Sequence, residues 1–246
     1  MKRLGFIFTF FLVGLVMAFP VYAAEGSGGA AYNWSGFYLG VHGGYVWANS
    51  DSKSYNTVTG ALVDTESFST DHPYGGIQIG NDFMLTQYLL LGIDLKCSYH
   101  GSTNDRTVSN TAGTNIRDSQ SKTDWSESAV VRLGYVYRNW LFYGLGGIIF
   151  DQGSAQRTQL VGTTGKATPG TSENDSVNRV GWTAGCGVEY GFSPGWSAFL
   201  EYRYNSFSTY TNTYPIAQRS TDVDIKANAV IIGVNYKFNW GSPFID

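Results

Sequence analysis

Apolar side chains recur at every second position in eight stretches of the chain. Between Phe37 and Trp47 the odd positions are apolar or aromatic apart from one glycine, whereas the even positions include His42 and two glycines. A period of two is typical of a β-strand, because successive side chains point to opposite faces of the sheet. The pattern predicts eight strands. Their apolar faces begin at Phe37, Ile77, Leu89, Ala129, Leu141, Val180, Ala198 and Val230.

The fifth stretch is assigned by the same rule. Leu141, Tyr143, Leu145 and Ile149 are predicted to form its apolar face. Glycines 144 and 146 then fall on the opposite face, where they would leave room for long side chains. They stand inside a strand rather than at a strand-to-helix turn, so a phosphate-binding loop is not predicted.

The face opposite the apolar one carries the charged residues of the strands. These are Asp82, Asp94, Lys96, Arg132, Arg179, Glu189, Glu201, Arg203 and Lys237. In a soluble sandwich this face would meet water, whereas in a membrane barrel it would fill the interior and the apolar face would contact lipid.

Aromatic residues near the strand ends favour the membrane barrel, since two aromatic girdles flank its lipid-facing band. The aromatic residues assigned to the girdles are Trp34, Phe37, Tyr45, Trp47, Tyr99, Trp125, Tyr137, Trp140, Phe192, Trp196, Phe207 and Phe238. A sandwich core gives no reason for this distribution.

Connections between the stretches alternate in length, as extracellular loops and periplasmic turns do. The four segments rich in Ser, Thr, Asn, Gly and Asp that are predicted as long loops are 49–71, 101–123, 152–177 and 206–224. The three short turns are 84–88, 138–140 and 193–195. We therefore predict an all-β protein, a single eight-stranded antiparallel up-and-down transmembrane β-barrel over residues 24–238.

The first residues have the features of a secretory signal peptide. Lys2 and Arg3 precede an apolar run, and small residues stand before a cleavage point after Ala23. We expect residues 1–23 to be removed on export and residues 239–246 to form a short extension beyond the barrel.

Composition excludes several classes of function. Only 14% of the 246 residues are charged and the net charge is -3, which argues against nucleic-acid binding because phosphate contacts need a basic face. The two cysteines cannot form a disulfide scaffold. Cys97 and Cys186 are predicted to remain unbridged, because they belong to the third and sixth strands.

Several sequence words resemble those of a known family. They include residues 33–40 (NWSGFYLG), Gly181-Trp182-Thr183 and residues 233–238 (GVNYKF). The chain resembles a family of small porin-like outer-membrane β-barrel proteins, which are surface antigens of Gram-negative bacteria. The family includes hemin-binding members. The resemblance implies an outer-membrane location among lipid and lipopolysaccharide. It also implies that the barrel-assembly machinery reads the last strand, which begins at Val230 and ends at Phe238.

Three groups of residues are candidates for chemistry. An eight-stranded barrel is just wide enough for side chains to fill, and buried charges must be paired. We therefore interpret the interior charges as a structural lumen network of Asp94, Lys96, Arg132, Arg179, Glu189, Glu201 and Arg203. His72 and His100 are candidate hemin ligands, either together or with Tyr55 or Tyr74. His100 with Ser102 suggests an acyl hydrolase, but no orienting acid is evident.

The sequence thus favours a non-enzymatic outer-membrane barrel that contributes to envelope integrity and makes surface contacts with host or environmental ligands through four long loops. No cofactor is required by this hypothesis. A hemin-binding receptor and a narrow porin are the alternatives. Uptake of hemin by the refolded protein and salt conductance in planar bilayers would distinguish them.

Overall fold

The computed structural model describes residues 32–109, 115–161, 166–214 and 219–238. The predicted signal peptide (1–23) and the predicted extension (239–246) lie outside these residues. The described residues include no helix long and apolar enough to span a bilayer.

The described residues form nine β-strands, which make one sheet that closes on itself. They are β1 (Gly36–Asn56), β2 (Leu62–Met84), β3 (Leu89–Ser109), β4 (Asn115–Tyr137), β5 (Trp140–Val161), β6 (Lys166–Ser193), β7 (Trp196–Phe207), β8 (Tyr210–Tyr214) and β9 (Arg219–Lys237). Each strand from β1 to β6 pairs antiparallel with the next, β7 pairs with β9, and β9 pairs back onto β1. Both β7 and β8 pair with β9, so they share one position in the wall. The prediction of an eight-stranded antiparallel barrel is confirmed.

Side chains alternate between the lipid side and the interior as the period of two requires. Leu39 and Val41 are 48% and 61% exposed on the outer wall, whereas Tyr38 before them and His42 after them are buried. The same parity holds in the predicted direction in every strand of the wall except β5.

In β5 the predicted faces are reversed. Trp140 and Phe142 are exposed on the outer wall, whereas Leu141, Tyr143 and Leu145 are buried inside the barrel. The error arose because β5 is apolar on both faces near its start, so periodicity alone could not orient it. Consequently the lipid side, and not the interior, holds Gly144 and Gly146.

The four predicted long loops are mostly strand. β1 continues to Asn56 and β2 begins at Leu62, so the first connection spans only residues 57–61. Polar residues pair across the extended hairpin: the Ser67 hydroxyl donates to Asp51 at 2.6 Å, and the Ser69 hydroxyl donates to Asn49 at 2.8 Å. Their turn-forming composition suggested loops, but a hairpin that continues a barrel wall gives these residues strand partners.

Residues 32–35 enter the mouth of the barrel at the end with the short turns, which is the predicted periplasmic end and is called so below. Trp34 is 2% exposed, and its Nε1 donates to the carbonyl oxygen of Arg138 at 3.3 Å. Trp34 therefore packs inside, against Leu90, Val136 and Leu141, rather than in the outer girdle. Phe207 is also buried, because its odd position in β7 faces inward. The other predicted girdle residues lie on the outer wall.

Candidate functional site

Four charged side chains form a layer, here called the lower layer, across the periplasmic half of the interior. It consists of Asp82, Arg132, Glu189 and Lys237, all at most 3% exposed. Arg132 bonds to both Asp82 oxygens and reaches Glu189 Oε2 at 3.0 Å. Lys237 Nζ lies 2.6 Å from Asp82 Oδ2. The two cations and two carboxylates balance, as burial in a low-dielectric interior requires.

A second group, the middle layer, lies above it and is also neutral. It consists of Asp94, Lys96, Glu201 and Arg203. Lys96 Nζ lies 3.1 Å from Asp94, and Arg203 Nε lies 2.5 Å from Glu201. The middle layer is cross-linked further, because Arg203 also reaches Asp94 at 3.5 Å and Lys96 reaches Glu201 at 3.9 Å.

Aromatic side chains join the two layers. Arg132 lies between the rings of Tyr38 and Tyr143, with its guanidinium carbon 4.9 and 5.2 Å from their centroids. The Tyr38 hydroxyl donates to Asp94 at 2.7 Å, and the Tyr143 hydroxyl donates to Glu201 at 3.0 Å. Both tyrosines therefore contact a lower-layer cation and a middle-layer carboxylate.

Interior glycines provide the space for these side chains. A Cβ at Gly80 would overlap the Tyr38 ring, and one at Gly92 would overlap Asp82 and crowd Arg132. With that space filled by long side chains, the layers pack the barrel from wall to wall, as expected for eight strands.

Arg179 was predicted as part of the same network, but it pairs elsewhere. Its Nη1 lies 3.4 Å from Asp151 Oδ2, near the extracellular end of the barrel. Sequence reasoning missed Asp151 because the faces of β5 were reversed. With Asp151 included, five carboxylates balance five cations among the described interior residues.

All three histidines of the chain lie on the extracellular side of the interior. His72 Nε2 and His100 Nδ1 are 3.0 Å apart, and His100 Nε2 is 2.7 Å from the Ser126 hydroxyl. The Tyr74 ring stacks on His100 at 4.8 Å. His42, which bonds to Ser98 at 2.9 Å, was not singled out from the sequence although its even position in β1 placed it inside.

This arrangement does not fit a bis-histidine hemin site. Two axial nitrogens on opposite faces of an iron stand about 4 Å apart, twice a metal–imidazole bond of about 2.0 Å. The His72 and His100 nitrogens instead share a hydrogen bond, and Tyr74 covers one face of His100. Tyr55 is about 30 Å along the barrel from His72, because nine residues of β1 at about 3.3 Å each separate it from Val46, the partner of His72.

The described side chains around the histidines do not form a metal centre, and the hydrolase prediction depends on a serine that they do not include. The hydroxyl on His100 belongs to Ser126, and the side chain of Ser102 lies outside the described residues. Across the part of the chain that the structure describes, no three His, Cys, Asp or Glu side chains are grouped as metal ligands.

The neutral interior, aromatic outer wall and closed antiparallel sheet agree with the comparison to known proteins. The model of the family described as "Outer membrane protein beta-barrel domain" matches residues 11–238. The chain belongs to this family. It is therefore an outer-membrane protein, and the predicted family and location are confirmed.

Relatives and a solved structure support the same assignment. The 31 kDa outer-membrane immunogenic protein of Brucella melitensis is 26% identical over 84% of this chain and 85% of its own length. The 22 kDa outer membrane protein of Rhizobium leguminosarum is 26% identical over 85% of this chain and 80% of its own. The crystal structure of OprG from Pseudomonas aeruginosa covers 83% of this chain and 96% of its own at 14% identity, with a TM-score of 0.53, and shares the fold.

Proposed function

We propose that this outer-membrane barrel is a non-enzymatic surface protein that supports envelope integrity and presents extracellular hairpins for contact with host or environmental surfaces. The observation that carries the proposal is the packed, charge-balanced interior. A barrel filled by paired side chains is suited to act as a rigid wall and a support for its hairpins rather than as a channel.

The extracellular hairpins are the surface suited to contact. In the first one, β1 and β2 continue their pairing from Trp47 opposite Asp71 up to Tyr55 opposite Leu62. Cross-strand hydrogen bonds hold this hairpin above the aromatic girdle, where it is exposed. The immunogenic relatives from Brucella are consistent with exposure of such hairpins at the cell surface.

The proposal includes two envelope partners at the outer wall. A phosphate of lipopolysaccharide would contact Lys226, which is exposed on β9 and paired with Asn49 just beyond the extracellular girdle. The barrel-assembly machinery would recognise the terminal strand from Val230 to Phe238, whose outward residues are apolar.

Surface display is tested with an epitope tag at two turns. A tag inserted after Thr59, in the first extracellular connection, should bind antibody on intact cells. The matched tag after Gln87, in a periplasmic turn, should bind only after permeabilisation. Antibody access to both tags, or only to the second, on intact cells would contradict the proposed orientation.

The two proposed roles, envelope integrity and surface contact, are tested independently in a strain that lacks the gene. The deletion strain is complemented either with the wild-type gene or with a variant in which Asn-Gly replaces residues 50–68. We expect both to restore detergent resistance, since the wall is intact, but only the wild type to restore surface adhesion. Unchanged detergent resistance in the deletion strain would contradict the envelope role, and unchanged adhesion with the shortened hairpin would contradict its contact role.

A further inference from the structure

The lipid-facing wall has a shallow depression in its periplasmic half. An apolar groove of about 730 Å³ runs across strands β3 to β7. Residues that define it include Leu133, Tyr135, Phe142, Gly144, Cys186 and Tyr202. In the described residues this groove is lined almost entirely by apolar surface, as a site for a hydrocarbon chain requires.

The groove exists because small residues of two neighbouring strands meet on the outer wall. Gly144 of β5 pairs with Leu133 on one side and with Cys186 of β6 on the other. Cys186 in turn pairs with Tyr202 of β7. Gly144 and Cys186 are small and form the floor of the groove. The larger side chains of Leu133 and Tyr202 form its two walls.

The position of the groove identifies the leaflet of the bilayer that it faces. Phe142 at its lower edge is two residues from Trp140, which packs on Tyr190 at 4.6 Å in the periplasmic girdle. Aromatic girdles mark the boundary between hydrocarbon and headgroups. The groove therefore opens into the hydrocarbon of the periplasmic leaflet, which consists of phospholipids.

A cation stands in the turn that joins β4 to β5, two strands that line the groove. Arg138 lies exposed in the turn between β4 and β5, with its guanidinium carbon 5.7 Å from the centroid of the outward-facing Tyr137 ring. Within the described chain no carboxylate pairs with it, and the other periplasmic turns (85–88 and 194–195) contain no charged residue. A lone guanidinium at this depth complements a lipid phosphate.

We propose that the groove and Arg138 together bind one phospholipid of the periplasmic leaflet. One acyl chain lies over Gly144 and Cys186, and the phosphate contacts Arg138. The site is independent of the interior layers, because every contact is on the outer wall.

The structure offers a matched pair of substitutions to test the groove. Gly144→Leu fills the floor without backbone overlap, since the nearest heavy atom to a Cβ there is the Gly185 oxygen at 3.9 Å. Gly146→Leu is the control: it lies on the same face of the same strand, with its nearest atom at 3.8 Å, but it is outside the groove lining. Arg138→Gln tests the phosphate contact.

The refolded mature protein and the three variants are compared by native mass spectrometry from micelles that contain phosphatidylglycerol. We expect one retained lipid per wild-type monomer and unchanged retention in Gly146→Leu. Retention should be about tenfold weaker in Arg138→Gln, the change that one charge-assisted contact confers. Retention should also be weaker in Gly144→Leu, because the added side chain occupies the floor of the groove. Circular dichroism checks that each variant is folded.

Three outcomes would overturn the proposal. Equal retention in all four proteins means that the lipid is only part of the general annulus. Loss in Gly144→Leu without loss in Arg138→Gln refutes the phosphate contact. A dimer mass that disappears in Gly144→Leu means that the groove binds a second copy of the chain instead of a lipid.

Discussion

Lys237 Nζ lies 2.6 Å from Asp82 Oδ2, inside the barrel and out of contact with water. The contact reaches from β9 across β1 to β2 and thus spans the junction at which the barrel closes. Because Asp82 also holds Arg132, this one carboxylate neutralises two cations together with Glu189.

Removing the charge of Asp82 should therefore lower the stability of the folded barrel. Asp82→Asn leaves the lower layer with one unbalanced buried cation, and we expect a loss of about 3 to 5 kcal/mol in the free energy of unfolding. Urea titration of the protein in lipid vesicles measures this loss. Asp224→Asn on the exposed outer face of β9 is the control and should change it by no more than about 0.5 kcal/mol. Similar losses in both variants would contradict the layer.

The lipid-facing register predicts intolerance of charge at mid-strand. Val131 lies midway between the girdle residues Trp125 and Tyr137 and is 51% exposed on the outer wall. Val131→Arg should cost about 2 to 4 kcal/mol, the depth-dependent penalty at the bilayer midplane. The same substitution at Val58, which is 73% exposed in the first extracellular connection, should leave stability unchanged. Vesicle-based unfolding compares the two, and equal tolerance would refute the assigned register.

The two cysteines should remain separate thiols in the oxidising periplasm. Cys97 on β3 and Cys186 on β6 are three strand spacings apart, about 14 Å around the wall at about 4.8 Å each, beyond the ~7 Å limit for a disulfide. We expect both to react with a membrane-permeable maleimide after denaturation without reductant. Protection of the pair until reductant is added would show that the strand order is wrong.

The histidine geometry makes a prediction about hemin. Because His72 and His100 bond to each other, titration of the refolded protein should produce no Soret spectrum of a bis-histidine complex. The His72→Ala, His100→Ala double variant should behave as the wild type does. A Soret band that is present in the wild type and lost in the double variant would support the hemin receptor instead.

Strand number, closure and most inward-facing residues could be predicted from the sequence, because a period of two fixes both faces once one face is apolar. The orientation of β5 could not be predicted, because Leu141 and Phe142 are equally apolar. Only the pairing with β4 and β6 distinguishes their faces. That single reversal hid Asp151 as the partner of Arg179 and placed Gly144 inside instead of in the lipid-facing groove. Trp34 was assigned to the girdle because aromatic composition does not reveal that residues 32–35 turn into the mouth.

Solute permeation tests most directly the claim that the barrel is a filled wall. Liposomes that contain the refolded mature protein are diluted into an isotonic solution of a small sugar. Their swelling rate is compared with that of protein-free liposomes. Because the lower and middle layers and Trp34 obstruct the interior in series, we expect the two rates to be indistinguishable. Swelling at the rate of a large-pore porin would contradict the account.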